Sequence, residues 1–317
     1  MSDLFAEKNI KPMLIGVEGE PFDSADYIYE LKVDGERCIA YLDPAVGTEL
    51  RNKRNMKMLS KVPELSNLHE HINRRCILDG ELAVITGGKP DFFAIQRRSL
   101  TSNPMKIRLA AQQQPATFVA FDILYWDDHP TNYLPLMERK RILQQVVQSE
   151  DARFAVSRYI EQNGTAFFEL AKAHELEGVV AKRRDSRYYF DKRTKDWIKI
   201  KYLKDQDFVV CGYIPKENNV NSIVLGQYRD GQPVYKGHVT LGVSGEDFRR
   251  IRQQTVIPAP PFEVPSGNEE AVWIYPQLVC TVRYMMLTES GGMRQPVFKG
   301  LRDDKTPGEC VEVVSYQ

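Results

Sequence analysis

A lysine between two carboxylates is the first candidate for chemistry in this chain. Glu30, Lys32 and Asp34 alternate with apolar residues and are followed by Gly35. Because successive side chains of a strand point to opposite faces, we expect the three charged groups on one face. We expect the apolar residues between them to point into a core on the other face: Tyr29, Leu31 and Val33.

A nucleophilic role for Lys32 places a demand on the rest of the chain. A solvated lysine is protonated near neutral pH, so a nucleophilic amine needs other cations close by. The segment Asp196–Lys201 alternates, which puts Lys199 and Lys201 on one face with Trp197. These two lysines are the predicted cations, and a metal held by Glu177 would act in the same direction. The structural alternative is a strand whose polar face is a surface salt-bridge ladder.

Three further segments carry groups suited to a nucleotide. Asp79 and Glu81 flank a glycine at a strand-like run, where a carboxylate can hold a divalent metal or a ribose hydroxyl. Phe121 lies in an apolar run that is mostly core, although an aromatic ring there can stack on a purine. A basic segment between Arg294 and Lys305 could reach a phosphate only if its domain moves over the first.

Charge is unevenly distributed, although the formal net charge is zero. Ten basic residues stand against three acidic ones between Lys182 and Lys204, and a second basic run extends from Arg51 to Lys61. Such clusters are typical of proteins that bind a phosphate backbone. Five scattered cysteines argue against a disulfide framework and a zinc knuckle. No run approaches the ~18 apolar residues of a membrane span, so we expect a soluble cytoplasmic protein.

Hydrophobic patterning predicts two domains. Residues 1–202 alternate strand-like and helix-like runs, which indicates an α+β domain. Residues 203–317 contain short strand-like runs broken by glycine turns, with one helix-like patch at Gly245–Gln254. That pattern is typical of a small β-barrel of the OB type, and the boundary is expected near Lys201–Asp207.

Taken in order, these motifs resemble those of the ATP-dependent DNA ligases, within the covalent nucleotidyltransferase superfamily. The resemblance runs from about residue 10 to 307 and is nearest to bacterial end-joining ligase domains and small phage or bacterial ligases. The motifs that carry it are KVDGER (32–37), DGE (79–81), FDILY (121–125), EGVV (177–180), WIKIK (197–201) and RDDK (302–305). It implies an adenylation domain of antiparallel sheets with helices, followed by an OB-fold β-barrel.

The resemblance also implies residue roles. Lys32 would attack the α-phosphorus of ATP, Glu30 would accept from the adenine amino group beside Leu31, and Phe121 would stack on the base. Arg37 would hold the ribose or the 5′-phosphate, and Glu81 the ribose or a metal. Further implied roles are a magnesium (or manganese) ligand for Glu177, an α-phosphate clamp for Lys199 and Lys201, and pyrophosphate orientation for Arg294, Arg302, Asp304 and Lys305.

For DNA, the resemblance implies a nick-phosphate contact from Arg51 or Arg54, and the two basic clusters predict DNA contacts from Arg51, Arg54, Lys182 and Arg183. The family's serine before its second arginine is absent here, so Arg51 and Arg54 compete for the nick phosphate, with Arg51 favoured. The expected partner is nicked duplex DNA, bound by a monomer acting at the nucleoid in repair, recombination or replication, with an end-binding helper protein as a further option. An ATP-dependent RNA ligase and a GTP-dependent capping guanylyltransferase are the open enzymatic alternatives, and a non-catalytic OB-containing binding protein is another.

Overall fold

The computed structural model describes residues 3–215, 221–288 and 291–312, and the chain divides into two compact units, Met1–Tyr202 and Leu203–Gln317. The strands of the first unit are β1 Leu14–Glu18, β2 Ser24–Leu31, β3 Glu36–Asp43, β4 Gly47–Asn52, β5 Cys76–Thr86, β6 Lys89–Pro90, β7 Ala116–Trp126, β8 His129–Pro130, β9 Phe154–Val156, β10 Tyr159–Gln162, β11 Gly178–Arg183 and β12 Arg193–Lys201. Its helices are α1 Leu4–Glu7, α2 Phe92–Leu100, α3 Pro104–Gln113, α4 Leu136–Val146 and α5 Gly164–Ala173. Within the described residues, no helix is long and apolar enough to cross a membrane.

Two sheets build the first unit. One has the strand order β1-β12-β11-β2-β10. The other has the order β4-β3-β5-β7-β8, with β6 paired to β5 and β9 paired to β7. Pairing is antiparallel except between β1 and β12 and between β7 and β9. The predicted α+β class is confirmed, with these two parallel pairings as an addition.

The two sheets share one apolar cluster. Ile39 and Leu124 of the second sheet pack in it with Val180 and Trp197 of the first. A separate cluster covers the other face of the second sheet and includes Ile95 of α2 and Leu143 of α4. Burying each such side chain stabilises the fold by roughly 1.5–3 kcal/mol. The shared cluster therefore fixes one sheet against the other, which is the condition for a site with walls from both.

One predicted side-chain orientation is wrong. Tyr29 is buried as expected, but Leu31 is 39% exposed. Strand β2 ends at Leu31, so the strict alternation of faces does not continue through Val33 and Asp34. The chain at Gly35 instead passes close to β5, where a Cβ would lie 2.1 Å from the carbonyl oxygen of Leu82.

The described residues of the second unit contain one sheet and one α-helix. Its strands are β13 Lys204–Pro215, β14 Asn221–Arg229, β15 Gln232–Val239, β16 Val272–Tyr284 and β17 Val297–Arg302, and its helix is α6 Gly245–Arg252. The order is β15-β14-β13-β16-β17, and an isolated bridge between Leu241 and Val297 brings the segment after β15 to β17. The predicted OB fold is confirmed. All five cysteines of the chain are buried free thiols.

Candidate active site

One face of the first sheet carries several of the predicted site residues. Strand β11 lies between β2 and β12, and its Val180 is level with Glu30 on one side and Lys199 on the other. Lys182 is level with Trp197 in the next row. Since antiparallel partners in register share a face, these side chains project together.

Lys32 stands at the end of this arrangement. Its Nζ lies 2.6 Å from Oε2 of Glu177, and its side chain is 23% exposed. Its backbone N–H donates to the carbonyl of Gly178. On the neighbouring strand β12, Gly178 is paired with Lys201. Adjacent strands lie about 4.8 Å apart, so the backbones of Lys32 and Lys201 are roughly 10 Å apart. Gly178 has φ +130°, and a Cβ there would lie 2.1 Å from the carbonyl oxygen of Ile200, so only glycine fits between them.

A pocket opens beside Lys32, with walls from both sheets. Its lining residues include Glu30, Leu31, Lys32, Val180, Lys182 and Trp197 from the first sheet and its β2 extension, and Arg37, Glu81 and Phe121 from the second. The structure thus brings together the predicted nucleophile, base acceptor, stacking ring and pocket carboxylate, which come from three separate segments of the sequence.

Glu30 is the most buried charge in the pocket, at 2% exposure. Its Oε1 lies 2.5 Å from Nζ of Lys140, and its Oε2 lies 3.1 Å from Nζ of Lys182. Burial would raise the pKa of Glu30, but the two ammonium groups outweigh it and hold the pKa below its usual range. Burial lowers the pKa of Lys182 to about 8, although Glu30 acts in the opposite direction. At neutral pH the carboxylate is therefore an ionised acceptor.

Cations lie against the aromatic wall. The Nζ of Lys182 is 4.4 Å from the ring centre of Phe121 and 4.2 Å from that of Trp197. The Arg37 guanidinium is 4.5 Å from the Phe121 ring centre and donates through Nε and Nη2 to the buried carboxylate of Asp79, both at 2.5 Å. Arg37 is therefore fixed by a forked ion pair that the sequence did not indicate.

Two carboxylates face the Lys32 end of the pocket. Burial raises the pKa of Glu81 to about 8, although Arg37 and Lys32 lower it, and Glu177 raises it further. No group of three or more His, Cys, Asp or Glu residues suited to a metal occurs in residues 3–215, 221–288 and 291–312. Magnesium in nucleotide sites commonly uses only one or two protein carboxylates and takes its other ligands from phosphates and water. Glu81 and Glu177 fit that requirement.

Lys199 and Lys201 converge on a residue that sequence reasoning missed. The Oε2 atom of Glu18, on β1, lies 3.2 Å from Nζ of Lys199 and 3.4 Å from Nζ of Lys201. Burial would raise the pKa of Glu18, but the two lysines lower it overall. Glu18 is 44% exposed at its side chain, so this carboxylate bridges the lysines in contact with solvent.

The predicted DNA-contacting residues separate into two environments. Arg54 and Arg183 are exposed, and Arg183 pairs with Asp185. Arg51 is half-buried and donates to Glu49 at 2.6 Å. The prediction for Lys182 is wrong, because its side chain is 3% exposed and paired with Glu30 inside the pocket. A buried, paired lysine is not available to a DNA phosphate.

The predicted pyrophosphate residues lie in the second unit. Arg302 donates through Nε and Nη2 to Asp304 at 2.7 and 2.6 Å. Lys305 pairs with Asp207. Arg294 is half-buried, and its backbone N–H donates to the carbonyl of Met286. These groups form a charged surface on the OB fold in which each guanidinium or ammonium has a carboxylate or other contact nearby.

Lys140 is the other functional candidate that the sequence reasoning missed. Helix α4 buries Leu136, Arg139, Lys140 and Leu143, which share one face by their spacing of three and four. Two cations on the apolar face of a helix require buried counter-charges. Arg139 finds Asp122 at 2.8 Å, and Lys140 finds Glu30. The charged residues at positions that helical spacing assigns to the apolar face were the sequence signal that could have identified Lys140.

Known proteins match the chain along both units. The family model for the ATP dependent DNA ligase domain matches residues 17–201, and the model for the ATP dependent DNA ligase C terminal region matches residues 216–305. The SPbeta prophage-derived DNA ligase-like protein LigB of Bacillus subtilis is 30% identical over 295 residues, which cover 92% of this chain and 99% of LigB.

End-joining proteins match as well. The multifunctional non-homologous end joining DNA repair protein LigD of Mycobacterium tuberculosis is 28% identical over 323 residues, which cover 97% of this chain and 40% of LigD. The chain therefore spans less than half of that relative. A solved structure of mycobacterial DNA ligase D complexed with ATP and MES has a TM-score of 0.56 and 27% identity, covering 96% of this chain and 99% of that chain. The resemblance predicted from the motifs is confirmed, and the chain belongs to the ATP-dependent DNA ligase family.

Proposed function

We propose that this ATP-dependent DNA ligase seals breaks between a 5′-phosphate and a 3′-hydroxyl in duplex DNA through a lysyl-AMP intermediate on Lys32. The observation that carries the proposal is the position of Lys32. Its Nζ lies 2.6 Å from Glu177, at the end of a pocket that also holds Glu30, Glu81 and Phe121.

In the first step, the Lys32 ammonium transfers a proton to the solvent, and the neutral amine attacks the α-phosphorus of ATP. A nitrogen–phosphorus bond forms, the bond to the bridging oxygen breaks, and pyrophosphate leaves. Lys199 and Lys201, which now share Glu18, are cations on the same sheet face and would neutralise the α-phosphate oxygens. Glu177 would hold Lys32 in place before the attack.

At the base end of the pocket, Glu30 would accept from the adenine amino group and Phe121 would contact the base. The Arg37 guanidinium, fixed by Asp79, would lie beside the ribose. Glu81 would hold a ribose hydroxyl or a metal. When bound by Glu81 and Glu177, a magnesium ion would supply Lewis-acid stabilisation of phosphate charge.

AMP would then pass to the 5′-phosphate of the break, and the 3′-hydroxyl would displace it. Splitting the condensation in this way replaces one difficult step with easier ones. Exposed Arg54 and Arg183, together with Arg51, are the proposed contacts to nicked duplex DNA. We further propose a monomer that acts in DNA repair within the cytoplasm at the nucleoid, with a helper protein at the ends as an optional partner.

The division of labour follows the two units. We propose residues 1–202 as the adenylation domain and residues 203–317 as the OB-fold domain. Arg294, Arg302 and Lys305 would orient pyrophosphate in the first step only. Full-length Arg302→Ala and Lys305→Ala should therefore slow labelling by ATP while sparing the sealing of pre-adenylated DNA. Equal loss in both assays would contradict this assignment.

The main test incubates the purified protein with α-labelled ATP, GTP or NAD, magnesium and a nicked duplex. Denaturing gels of protein and DNA then report covalent labelling and sealing together. We expect label from ATP alone, its loss in Lys32→Ala, and its retention in Lys11→Ala, an exposed lysine of the same unit. Normal labelling of Lys32→Ala would exclude Lys32 as the nucleophile, and label from GTP would favour a guanylyltransferase.

A further inference from the structure

Lys140 joins the two groups that would recognise the edge and the face of the base. Its Nζ lies 2.5 Å from Oε1 of Glu30 and donates to the backbone carbonyl of Phe121 at 2.8 Å. Glu30 belongs to β2 of the first sheet and Phe121 to β7 of the second. A single ammonium group on α4 therefore fixes the spacing between an acceptor on one sheet and a ring on the other.

Lys140 itself is not among the residues that line the pocket. Its side chain is 3% exposed and lies behind Glu30, with the Tyr159 ring centre 5.8 Å from Nζ. The contacts of Lys140 therefore reach a bound nucleotide through Glu30 and Phe121.

We propose that Lys140 is a positioning residue that sets the base preference of the ligase by holding the Glu30 carboxylate at a fixed distance from the Phe121 ring. The inference rests on the proposed nucleotide function of the pocket. It adds to that function a specificity determinant that lies outside the motifs.

The Glu30 carboxylate discriminates between the chemical groups that a base presents to it. An ionised carboxylate only accepts hydrogen bonds, so it suits the exocyclic amino group of adenine and repels a carbonyl oxygen at the same ring position. Lys140 holds Oε1 and Lys182 holds Oε2, so the carboxylate cannot rotate freely between them. Without Lys140, Glu30 would keep Lys182 and the Ser157 side chain as partners but would lose its link to the Phe121 carbonyl, and with it the fixed spacing from the ring. The amino group would then contribute less to binding.

The experiment compares two nucleotides on the same preparation of the full chain. ATP carries the exocyclic amino group, whereas purine riboside triphosphate lacks it. The ratio of their kcat/KM values for covalent labelling reports use of the amino group, and inactive protein cancels from the ratio. The variants are Lys140→Met, Lys140→Gln and Lys140→Arg, with Arg141→Met as a control on the same helix, where the side chain is exposed.

We expect Lys140→Met to lower the preference for ATP about tenfold, equivalent to about 1.4 kcal/mol, chiefly through KM. Lys140→Arg should keep the ratio within a few-fold of the original, and Arg141→Met should leave it unchanged. If Lys140→Met does not fold, Lys140→Gln, which can still donate to the Phe121 carbonyl, supplies the measurement.

A lower Tm with an unchanged ratio would show that Lys140 is only structural, and so would equal losses for both nucleotides. Either result overturns the inference without affecting the proposed function. If the unaltered protein takes no label from ATP, the proposed function fails first.

Discussion

The first unit contains the same arrangement twice, once in the pocket and once on the sheet face beside it, in opposite surroundings. At the base end, Glu30 bridges two lysines and is 2% exposed, whereas at the phosphate end Glu18 bridges two lysines and is 44% exposed. Both are carboxylates held between two ammonium groups. Breaking a buried pair leaves an uncompensated charge in a low dielectric, whereas an exposed pair is screened by water. The buried carboxylate is therefore expected to stay in place between its two lysines. The exposed carboxylate can be replaced by another anion.

The difference fits the two halves of a nucleotide. A base needs a fixed acceptor at a fixed distance from its ring, and Lys140 and Lys182 hold Glu30 in such a position. A triphosphate brings its own negative charge and needs cations that can be transferred to it. Lys199 and Lys201 are held by a group that water already reaches.

The largest expected effect comes from removing the buried bridge. Glu30→Ala leaves the ammonium groups of Lys140 and Lys182 without their carboxylate, so we expect unfolding free energy to fall by about 3–5 kcal/mol. Urea denaturation measures it, with Glu18→Ala as the matched control, for which we expect less than about 1 kcal/mol. Similar losses for the two variants would show that burial does not separate the bridges.

The next effect concerns activity at the exposed end. Lys201→Ala should slow adenylation about 10²–10³-fold, the usual result of removing one group that stabilises developing phosphate charge. The thermal stability of the variant should change little, because Glu18, with which Lys201 pairs, is exposed. Single-turnover labelling with ATP and thermal unfolding measure the two quantities. A large loss of thermal stability would instead favour a structural role for this end of β12.

A smaller effect is the pH dependence of the stability that the buried bridge contributes. The pKa of Lys182 is about 8, below its ordinary 10.5, because burial disfavours the charged form. Between these values the unfolded chain binds more protons, so the Lys182 contribution to stability rises with pH through this window and is lost as pH falls through 8. Lys182→Met should remove this rise, on the order of 2 kcal/mol. Urea unfolding at pH 7.5 and 10 tests it against Lys11→Met, which should still show the rise.

The sequence predicts some members of the two bridges and misses others. Alternation in Asp196–Lys201 places Lys199 and Lys201 on one face, and the motifs place Glu30 and Lys32 beside them. Neither Glu18 nor Lys140 could be assigned, because each meets its partner only through the packing of segments far apart in sequence. The same reason explains Lys182, which a local count of charge assigns to the DNA surface and tertiary packing places in the pocket.

The smallest expected effect tests whether the exposed bridge gives way to phosphate. In the proposed first step, ATP would displace the Glu18 carboxylate from Lys199 and Lys201, and an exposed pair is worth about 0.2–1 kcal/mol. Glu18→Gln removes the competing charge, so the KM for ATP in labelling should fall by up to about fivefold while the saturated rate is unchanged. The difference should shrink with added salt, because the contact is screened. A higher KM would mean that Glu18 holds the two lysines in the geometry that ATP requires, and the exposed carboxylate would then stay in place like the buried one.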